Sequence, residues 1–272
     1  MPKPNLKTNP IEDIFKEGEL VMLIDRKGRR YMTILTVGSE FHSHLGYIEH
    51  NNILGRGQGE WCQTTKGHIL LMLKPTLSDY VLNMKRETQV IYPKDIGLII
   101  MLADIFPGAK VIEAGFGSGA LTMGLLRSTG NSGSVTSYEL RKDQTTKALN
   151  NISLFIKDLD NLEIKFGDIY QTLDETNVDR LVLDVPEPWY VVPHATRMLL
   201  PGGIFLSFLP TVLQVHKLVK ELTNQTCFQL IETIESLVRP WHVTENSMRP
   251  THRMVAHTGF ITTARLCSPR PR

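Results

Sequence analysis

The chain has 272 residues, of which 42% are hydrophobic and 21% are charged, and its formal net charge is +2. This composition is typical of a globular protein, and the length suits one large domain or two modest ones. A net charge so close to zero does not by itself indicate a nucleic-acid-binding protein.

Neither membrane insertion nor a cysteine-based site is expected. Apolar runs such as 96–105 are interrupted by glycine or aspartate and are too short to span a bilayer. The N-terminus has no apolar signal core, and Cys62, Cys227 and Cys267 have neither disulfide nor zinc-site spacing. We therefore expect a cytoplasmic protein with no membrane partner and no metal.

Residues 1–75 predict a small β-barrel-like or sandwich domain. The first ten residues carry three prolines and no hydrophobic period, so we expect them to be loose. Apolar runs at 20–24 and 31–35 flank a turn at 25–28. Glycines then recur at hairpin spacing, at positions 38, 46, 55, 57, 59 and 67.

Residues 76–109 are predicted to connect this domain to a second one. The segment 76–84 reads as a helix or a linker. The segment 94–106 has helical spacing in its apolar residues, which are Ile96, Ile99, Ile100 and Ala103.

Residues 110–272 alternate between apolar strands and amphipathic helices, which predicts βαβ units and an α/β fold with a parallel sheet covered on both faces. The strands are predicted near 110–114, 134–139, 162–166, 180–184, 203–208, 227–235 and 255–265. The helices are predicted near 119–129, 141–157, 190–200 and 211–223.

A glycine-rich turn follows the first strand of this second domain. Gly115, Gly117 and Gly119 stand at alternate positions before a helix-compatible run. Such a turn lets a ligand lie directly on the backbone, and α/β folds hold nucleotide-like cofactors there. Gly115, Gly117 and Ala120 also satisfy the dinucleotide fingerprint, so the glycines leave both S-adenosylmethionine and a nicotinamide dinucleotide open.

Three carboxylates follow successive predicted strands. Glu139 lies 20 residues after Gly119, where either cofactor would offer ribose hydroxyls, although it could be an ordinary solvated acid. Asp168 could accept a hydrogen bond from an adenine amino group, or simply form a turn. Asp184 ends an apolar run at the carboxyl edge, where open α/β sheets place functional groups.

The loop after Asp184 favours one of the two cofactors. Pro186 and Pro188 fix φ and pin the loop, which suits a slot for a flat base beside Asp184 and Trp189. A helix and a β-rich domain also precede the first nucleotide-binding strand. Together with Asp168, these features favour S-adenosylmethionine and a base substrate.

Four motifs occur in order and together resemble the tRNA (adenine-58-N1)-methyltransferases of bacteria and archaea over nearly the whole chain. The motifs span residues 89–95, 113–119, 184–189 and 249–260. The resemblance implies a class I S-adenosylmethionine-dependent methyltransferase fold. This is a Rossmann-like, mostly parallel seven-stranded sheet with a reversed last strand. It further implies a homotetramer that methylates N1 of an adenine in the T-loop of tRNA.

The same resemblance implies the site residues. The family's cofactor contacts fall on Gln89, Gly115, Phe116, Gly117, Ser118, Gly119, Ala120, Leu121, Glu139, Gln144, Asp168 and Asp184. Gln144 stands where relatives often have histidine, and Phe116 where they often have a smaller residue. As a catalytic hypothesis, Asp184 accepts a hydrogen bond from the N6 amino group of the flipped adenine, and Tyr92 lines the pocket.

Two other functions and one surface feature stay open from the residues. The alternatives are a nicotinamide-dependent oxidoreductase and a non-catalytic tRNA-binding subunit, which would have a degraded glycine turn or no Asp184. Basic side chains also crowd the C-terminal third, where they either contact RNA or form a solvated surface. They are Arg239, Arg249, His252, Arg253, His257 and Arg265.

Overall fold

The computed structural model describes residues 13–85, 89–171 and 174–269. The expectation that residues 1–10 are loose lies outside the described residues. The chain divides into two compact units after Asn83. The segment near 76–84, predicted as a helix or a linker, forms a helix that belongs to the first unit. The helix predicted near 94–106 belongs to the second unit. The functional domains at 1–75, 76–109 and 110–272 remain a prediction.

The first unit is built on a four-stranded antiparallel sheet in the order β2-β1-β6-β5. Its core is made by residues such as Phe15, Leu23 and Leu70, which are almost fully buried. The elements are β1 (Leu20–Ile24), β2 (Arg30–Ile34), β3 (Glu40–Ser43), β4 (Gly46–Glu49), β5 (Trp61–Gln63), β6 (Ile69–Leu73) and α1 (Leu77–Asn83). β3 and β4 form a separate hairpin.

The second unit contains the predicted parallel sheet with seven strands. They are β7 (Lys110–Ala114), β8 (Ser134–Glu139), β9 (Leu162–Phe166), β10 (Val178–Leu183), β11 (Leu199–Leu209), β12 (Phe228–Glu235) and β15 (Phe260–Leu266). Their order in the sheet is β12-β15-β11-β10-β7-β8-β9. Only β15 runs antiparallel to its neighbours, so the reversed last strand is confirmed.

The helices and one hairpin complete this unit. They are α2 (Pro93–Leu102), α3 (Ala120–Thr129), α4 (Lys142–Phe155), α5 (Val192–Met198), α6 (Val212–Asn224), β13 (Trp241–Thr244) and β14 (Ser247–Pro250). α2 begins with proline at its first position, where the helix has no use for the missing N–H. α6 is capped by Thr211, whose hydroxyl accepts from the Gln214 N–H.

Several boundaries differ from the prediction, and one hairpin is new. The helix expected at 190–200 spans only 192–198, because β11 already begins at Leu199. The last strand begins at Phe260 rather than 255, since pairing with β11 starts where Phe260 faces Leu209. The hairpin of β13 and β14 was not predicted, because its residues are mostly exposed and lack alternation between buried and exposed positions.

No helix within the described residues is long and apolar enough to cross a membrane.

Candidate active site

The glycine turn between β7 and α3 brings the chain close to the end of β10. Gly115, Gly117 and Gly119 have φ values of 96°, 53° and 83°, in the left-handed region that favours glycine. A Cβ atom on Gly115 would lie 2.2 Å from the carbonyl oxygen of Asp184. The Asp184 N–H donates to the Ala114 carbonyl at 2.8 Å, so residue 184 is fixed directly against the turn.

A cavity of about 290 Å³ opens at the carboxyl edge of the sheet. Four of the predicted site residues line it, namely Gly115, Glu139, Asp168 and Asp184. Because β7, β8, β9 and β10 are adjacent parallel strands, their carboxyl ends all meet at this edge. The volume is near the lower end of the range for small-molecule sites.

Glu139 ends β8, and its carboxylate is buried. One of the two carboxylate oxygens accepts hydrogen bonds from the backbone. Its Oε1 accepts from the N–H groups of Leu140 at 2.9 Å and Arg141 at 3.0 Å. Within the described part of the chain, no protein donor reaches Oε2. This oxygen can therefore accept hydrogen bonds from a vicinal diol such as a ribose.

Asp168 and Tyr170 also line the cavity. Asp168 Oδ1 accepts from the Tyr170 N–H at 2.9 Å, the turn geometry that its sequence position also allowed. The Tyr170 hydroxyl accepts from the Glu187 N–H at 3.1 Å, which ties the proline-containing loop to the end of β9. Tyr170 was not predicted from the sequence. The only sign of its role was its position two residues after Asp168, a predicted cofactor-binding residue.

Asp184 is an unusual carboxyl group. It is largely withdrawn from water, and this burial raises its pKa from 3.8 to about 6. The group is thus mostly ionised at neutral pH but protonated in mild acid. A carboxylate held this way accepts a hydrogen bond strongly, because little water competes for it.

Glu113 is a second buried carboxyl group that sequence reasoning left without a role. It is fully buried, and desolvation raises its pKa to about 8, with the nearby Asp184 charge acting in the same direction. The Thr122 hydroxyl donates to Glu113 Oε2 at 2.8 Å and so links β7 to the first turn of α3. Glu113 is therefore mainly neutral at pH 7 and leaves Asp184 as the anion of the pair.

Several predicted cofactor contacts lie outside the lining of this cavity. Among the described residues, those that line it do not include Gln89, Tyr92 or Gln144. Phe116 is buried in the turn, as are Ser118, Ala120 and Leu121. Gln144 Oε1 is buried without a hydrogen-bond partner, which makes it the one of these groups that calls for an external donor.

Two of the four sequence motifs meet through Lys94. Its ammonium donates to Asp95 Oδ1 at 2.7 Å, to Thr258 Oγ1 at 2.7 Å and to the Ser236 carbonyl at 2.9 Å. Lys94 follows Tyr92 by two residues at the start of α2, and Thr258 precedes β15. This network connects the segment that carries Tyr92 to the ends of β12 and β15. No sequence pattern predicted the network.

The basic C-terminal residues divide into two groups. Arg249, Arg253, Arg239 and His252 are exposed. His257 instead bridges the strand ends: its Nδ1 lies 2.6 Å from Glu235 Oε1 and its Nε2 lies 2.8 Å from the Pro210 carbonyl, contacts that raise its pKa. The Arg265 guanidinium donates to the Gly202 carbonyl. His257 and Arg265 therefore make hydrogen bonds within the protein and form the second group.

In the described ranges, no group of three or more histidine, cysteine or acidic residues has the arrangement of a metal site.

Comparison with known proteins agrees with this geometry. The family described as tRNA methyltransferase complex GCD14 subunit matches residues 67–258, and the TrmI-like N-terminal family matches residues 14–61. The tRNA (adenine(58)-N(1))-methyltransferase TrmI of a Thermus thermophilus strain is 36% identical over 246 residues, covering 90% of this chain and 96% of the relative.

An archaeal relative and a solved structure are similarly close. The tRNA (adenine(57)-N(1)/adenine(58)-N(1))-methyltransferase TrmI of Methanocaldococcus jannaschii is 35% identical, over 92% of this chain and 95% of the relative. The crystal structure of a SAM-dependent O-methyltransferase from Thermotoga maritima has a TM-score of 0.91 and 36% identity, covering 96% of this chain and 97% of that chain.

Proposed function

The chain belongs to the GCD14 family of tRNA methyltransferases, and we propose that it transfers a methyl group from S-adenosylmethionine to N1 of adenine 58 in the T-loop of tRNA. The observation that carries this proposal is the position of Asp184, a half-buried carboxylate fixed against the glycine turn. The nicotinamide alternative is not favoured, because the family and the relatives are methyltransferases. A non-catalytic role is disfavoured because the glycine turn and Asp184 are both intact.

The residues at the sheet edge fit the cofactor. In this proposal the turn from Gly115 to Leu121 would hold S-adenosylmethionine through its backbone, Glu139 Oε2 would accept a hydrogen bond from the ribose and Asp168 would accept one from the adenine amino group. The unpartnered Gln144 Oε1 and the exposed Gln89 are the further contacts. When bound, S-adenosylmethionine supplies an electrophilic methyl group on a sulfonium sulfur.

Asp184 orients the acceptor base in this mechanism. The adenine must first be extracted from its stack, which costs a few kcal/mol. The Asp184 carboxylate accepts from the N6 amino group, which aims the N1 lone pair at the methyl group. As the bond between N1 and the methyl carbon forms and the carbon–sulfur bond breaks, S-adenosylhomocysteine is the leaving group and positive charge grows on the ring, where the nearby carboxylate would stabilise it.

Tyr92 completes the catalytic proposal as a wall of the base pocket. It lies at the N-terminus of α2 with an extended backbone, and its carbonyl accepts from the Asp95 and Ile96 N–H groups. The Lys94 network holds this end of the helix in place. Most of the rate enhancement is then positioning and electrostatics, without a covalent intermediate on the protein.

The finer assignments of assembly and location are proposals as well. We propose a homotetramer, because the hairpin of β13 and β14 exposes large apolar side chains that a second copy of the chain could cover. Trp241, Val243 and Met248 are 60%, 65% and 76% exposed. A two-stranded hairpin is marginally stable without such cover. We place the enzyme in the cytoplasm, as its tRNA substrate and reduced cysteines suggest.

The direct test is to incubate unmodified tRNA with labelled S-adenosylmethionine and to map the methylated nucleotide by mass spectrometry. We expect 1-methyladenosine at position 58, and a tRNA with adenine at 57 tests whether that base is also taken. Methylation of a ribose or of another base at comparable rate would contradict the proposal. Binding of S-adenosylhomocysteine but not of NAD, followed by thermal shift, checks the cofactor independently.

A further inference from the structure

Three hairpin turns of the first unit enclose a second cleft of about 550 Å³, which we call the three-turn cleft. The turn between β1 and β2 contributes Arg26, Lys27 and Arg29. The other two turns contribute mainly His44 and His68. Lys66 lies in the same turn as His68, and its backbone packs close to Gly46 of the neighbouring turn.

The turn between β1 and β2 is held in shape by hydrogen bonds to its single acidic residue, Asp25. Asp25 is 7% exposed, and its Oδ1 accepts from the N–H groups of Lys27 at 2.8 Å and Arg29 at 2.9 Å. Its Oδ2 accepts from Arg29 Nε at 2.8 Å and from the Tyr31 hydroxyl at 3.2 Å. Asp25 is thus satisfied by its own turn and by β2.

The remaining cations of the cleft are free of acidic partners. Arg26, Lys27 and Lys66 are exposed, and within the described ranges none of them forms an ion pair. The hydrogen bonds to Asp25 hold the turn in shape, while the side chains that flank Asp25 project their charge outward. Because the loop is already ordered, a ligand that contacts it loses less free energy to ordering.

Charge in this unit is segregated rather than abundant. Residues 13–83 carry eight acidic and eight basic side chains, so this part of the unit has no net charge. Away from the cleft, however, most cations are paired: Lys74 lies 2.8 Å from Asp13, Arg56 lies 2.8 Å from Glu60, and Arg30 contacts Asp79. Among the described residues of this unit, three of the four cations without an ion pair, Arg26, Lys27 and Lys66, lie in the three turns, and the fourth is Lys16.

We infer that the three-turn cleft binds backbone phosphates of the RNA substrate. Arginine, lysine and imidazole donors around a concave surface match phosphodiester oxygens, and such contacts fix the register of a nucleic acid without reading its sequence. The inference rests on the proposed function only in taking tRNA as the substrate. It gives the N-terminal β domain a task separate from methyl transfer.

The test is a triple variant, Arg26→Gln, Lys27→Gln and Lys66→Gln, in the full chain. We expect its Kd for tRNA at low salt to rise by about 10-fold or more, and the slope of log Kd against log salt to fall by about 2 to 3. The affinity for S-adenosylhomocysteine and kcat at saturating tRNA should be unchanged, because the cleft contains no cofactor or catalytic residue.

A matched control removes the same number of charges elsewhere. Lys16, Lys157 and Lys220 are exposed and lie outside the cleft, and their replacement by Gln should leave the salt slope within about 1 of wild type. A charge-conserving pair, Lys27→Arg and Lys66→Arg, should retain affinity and thereby exclude a folding defect.

The inference is overturned if the cleft variant keeps wild-type affinity and slope, as it would if the cleft bound an acidic protein instead. It is equally overturned if the control variant loses as much affinity. Failure of the proposed function looks different: wild-type protein would still bind tRNA through the cleft, but no methyl group would appear at adenine 58.

Discussion

At the scale of single residues, the site depends on two carboxyl groups, the half-buried Asp184 and the fully buried Glu113, with different charge states. Asp184, with a pKa of about 6, is mostly ionised at pH 7, whereas Glu113, with a pKa of about 8, is mostly neutral. Desolvation raises both pKa values, and the Asp184 charge further raises the pKa of Glu113. The pair thus holds one negative charge at neutral pH, next to the glycine turn.

Replacement of Asp184 tests its catalytic role. Asp184→Ala should remove most turnover, and the nearly isosteric Asp184→Asn should lower kcat by about 10²–10³-fold, because the neutral amide cannot stabilise charge on the ring. The affinity for S-adenosylhomocysteine, measured by calorimetry, should fall only a few-fold. Single-turnover methyl transfer at near wild-type rate in either variant would reject this role.

The pH dependence of wild-type activity follows from the same group. Because the ionised form of Asp184 is required and its pKa is about 6, kcat/KM for tRNA should rise with pH and level off above about pH 7. The measurement is initial rates at subsaturating tRNA between pH 5 and 8 at constant ionic strength. A rate that is flat from pH 5 to 7 would contradict an essential Asp184 anion.

Glu113 has a consequence for stability. The unfolded chain releases this proton near pH 4.5, but the folded chain keeps it until about pH 8, so the folded state is progressively disfavoured as pH rises between these values. Glu113→Gln removes this dependence. In urea unfolding of the cofactor-free protein, we compare the free energy of unfolding of the variant with that of wild type. The difference should grow in favour of the variant by about 1–3 kcal/mol as the pH rises from 5.5 to 7.5. An offset that does not change with pH would contradict the assignment.

At the scale of elements, the turn between β7 and α3 is where backbone geometry leaves room only for glycine. Gly115 combines a left-handed φ of 96° with a backbone oxygen 2.2 Å from where a Cβ would lie. That oxygen belongs to Asp184, which is held to Ala114 by a backbone hydrogen bond. A side chain at 115 would therefore push the carboxylate of residue 184 away from the turn.

Gly115→Ala should lower the free energy of unfolding by about 2–4 kcal/mol and weaken S-adenosylhomocysteine binding at least 10-fold. Gly97→Ala is the matched control, since Gly97 lies in α2 and no other atom lies within 4 Å of the place that its Cβ would take. It should leave binding unchanged and stabilise the helix by up to about 1 kcal/mol. Equal effects of the two substitutions would show that the turn is not specifically constrained.

At the scale of the whole molecule, the exposed apolar hairpin is the feature that a single chain does not explain. If this hairpin forms the proposed homotetramer, Trp241→Glu combined with Met248→Glu should yield smaller species than wild type in size-exclusion chromatography with light scattering, because burying these charges would cost more than the contact contributes. Trp61→Glu is the control, since Trp61 is 58% exposed but lies in the first unit. A tetramer that survives the double substitution would place the interface elsewhere.

Much of the fold could be predicted because its signals are local. The apolar runs at 110–114, 134–139 and 162–166 became β7, β8 and β9 with the same bounds, and the glycine turn lies between strand and helix as expected. Periodicity and turn chemistry are encoded within a few residues. The hairpin at 241–250 escaped prediction because its side chains do not alternate between a core face and a solvent face.

By itself, the sequence determined the α/β class, the glycine turn and the identity of the acids at the strand ends, since each depends on neighbours in the chain. Only the tertiary structure decided that Asp184 lies against Gly115, that Lys94 reaches Thr258 and that three turns bring together Arg26, Lys27 and Lys66. These contacts join residues up to 164 positions apart. The order in which strands pair is settled by packing of the whole sheet, and no short pattern records it.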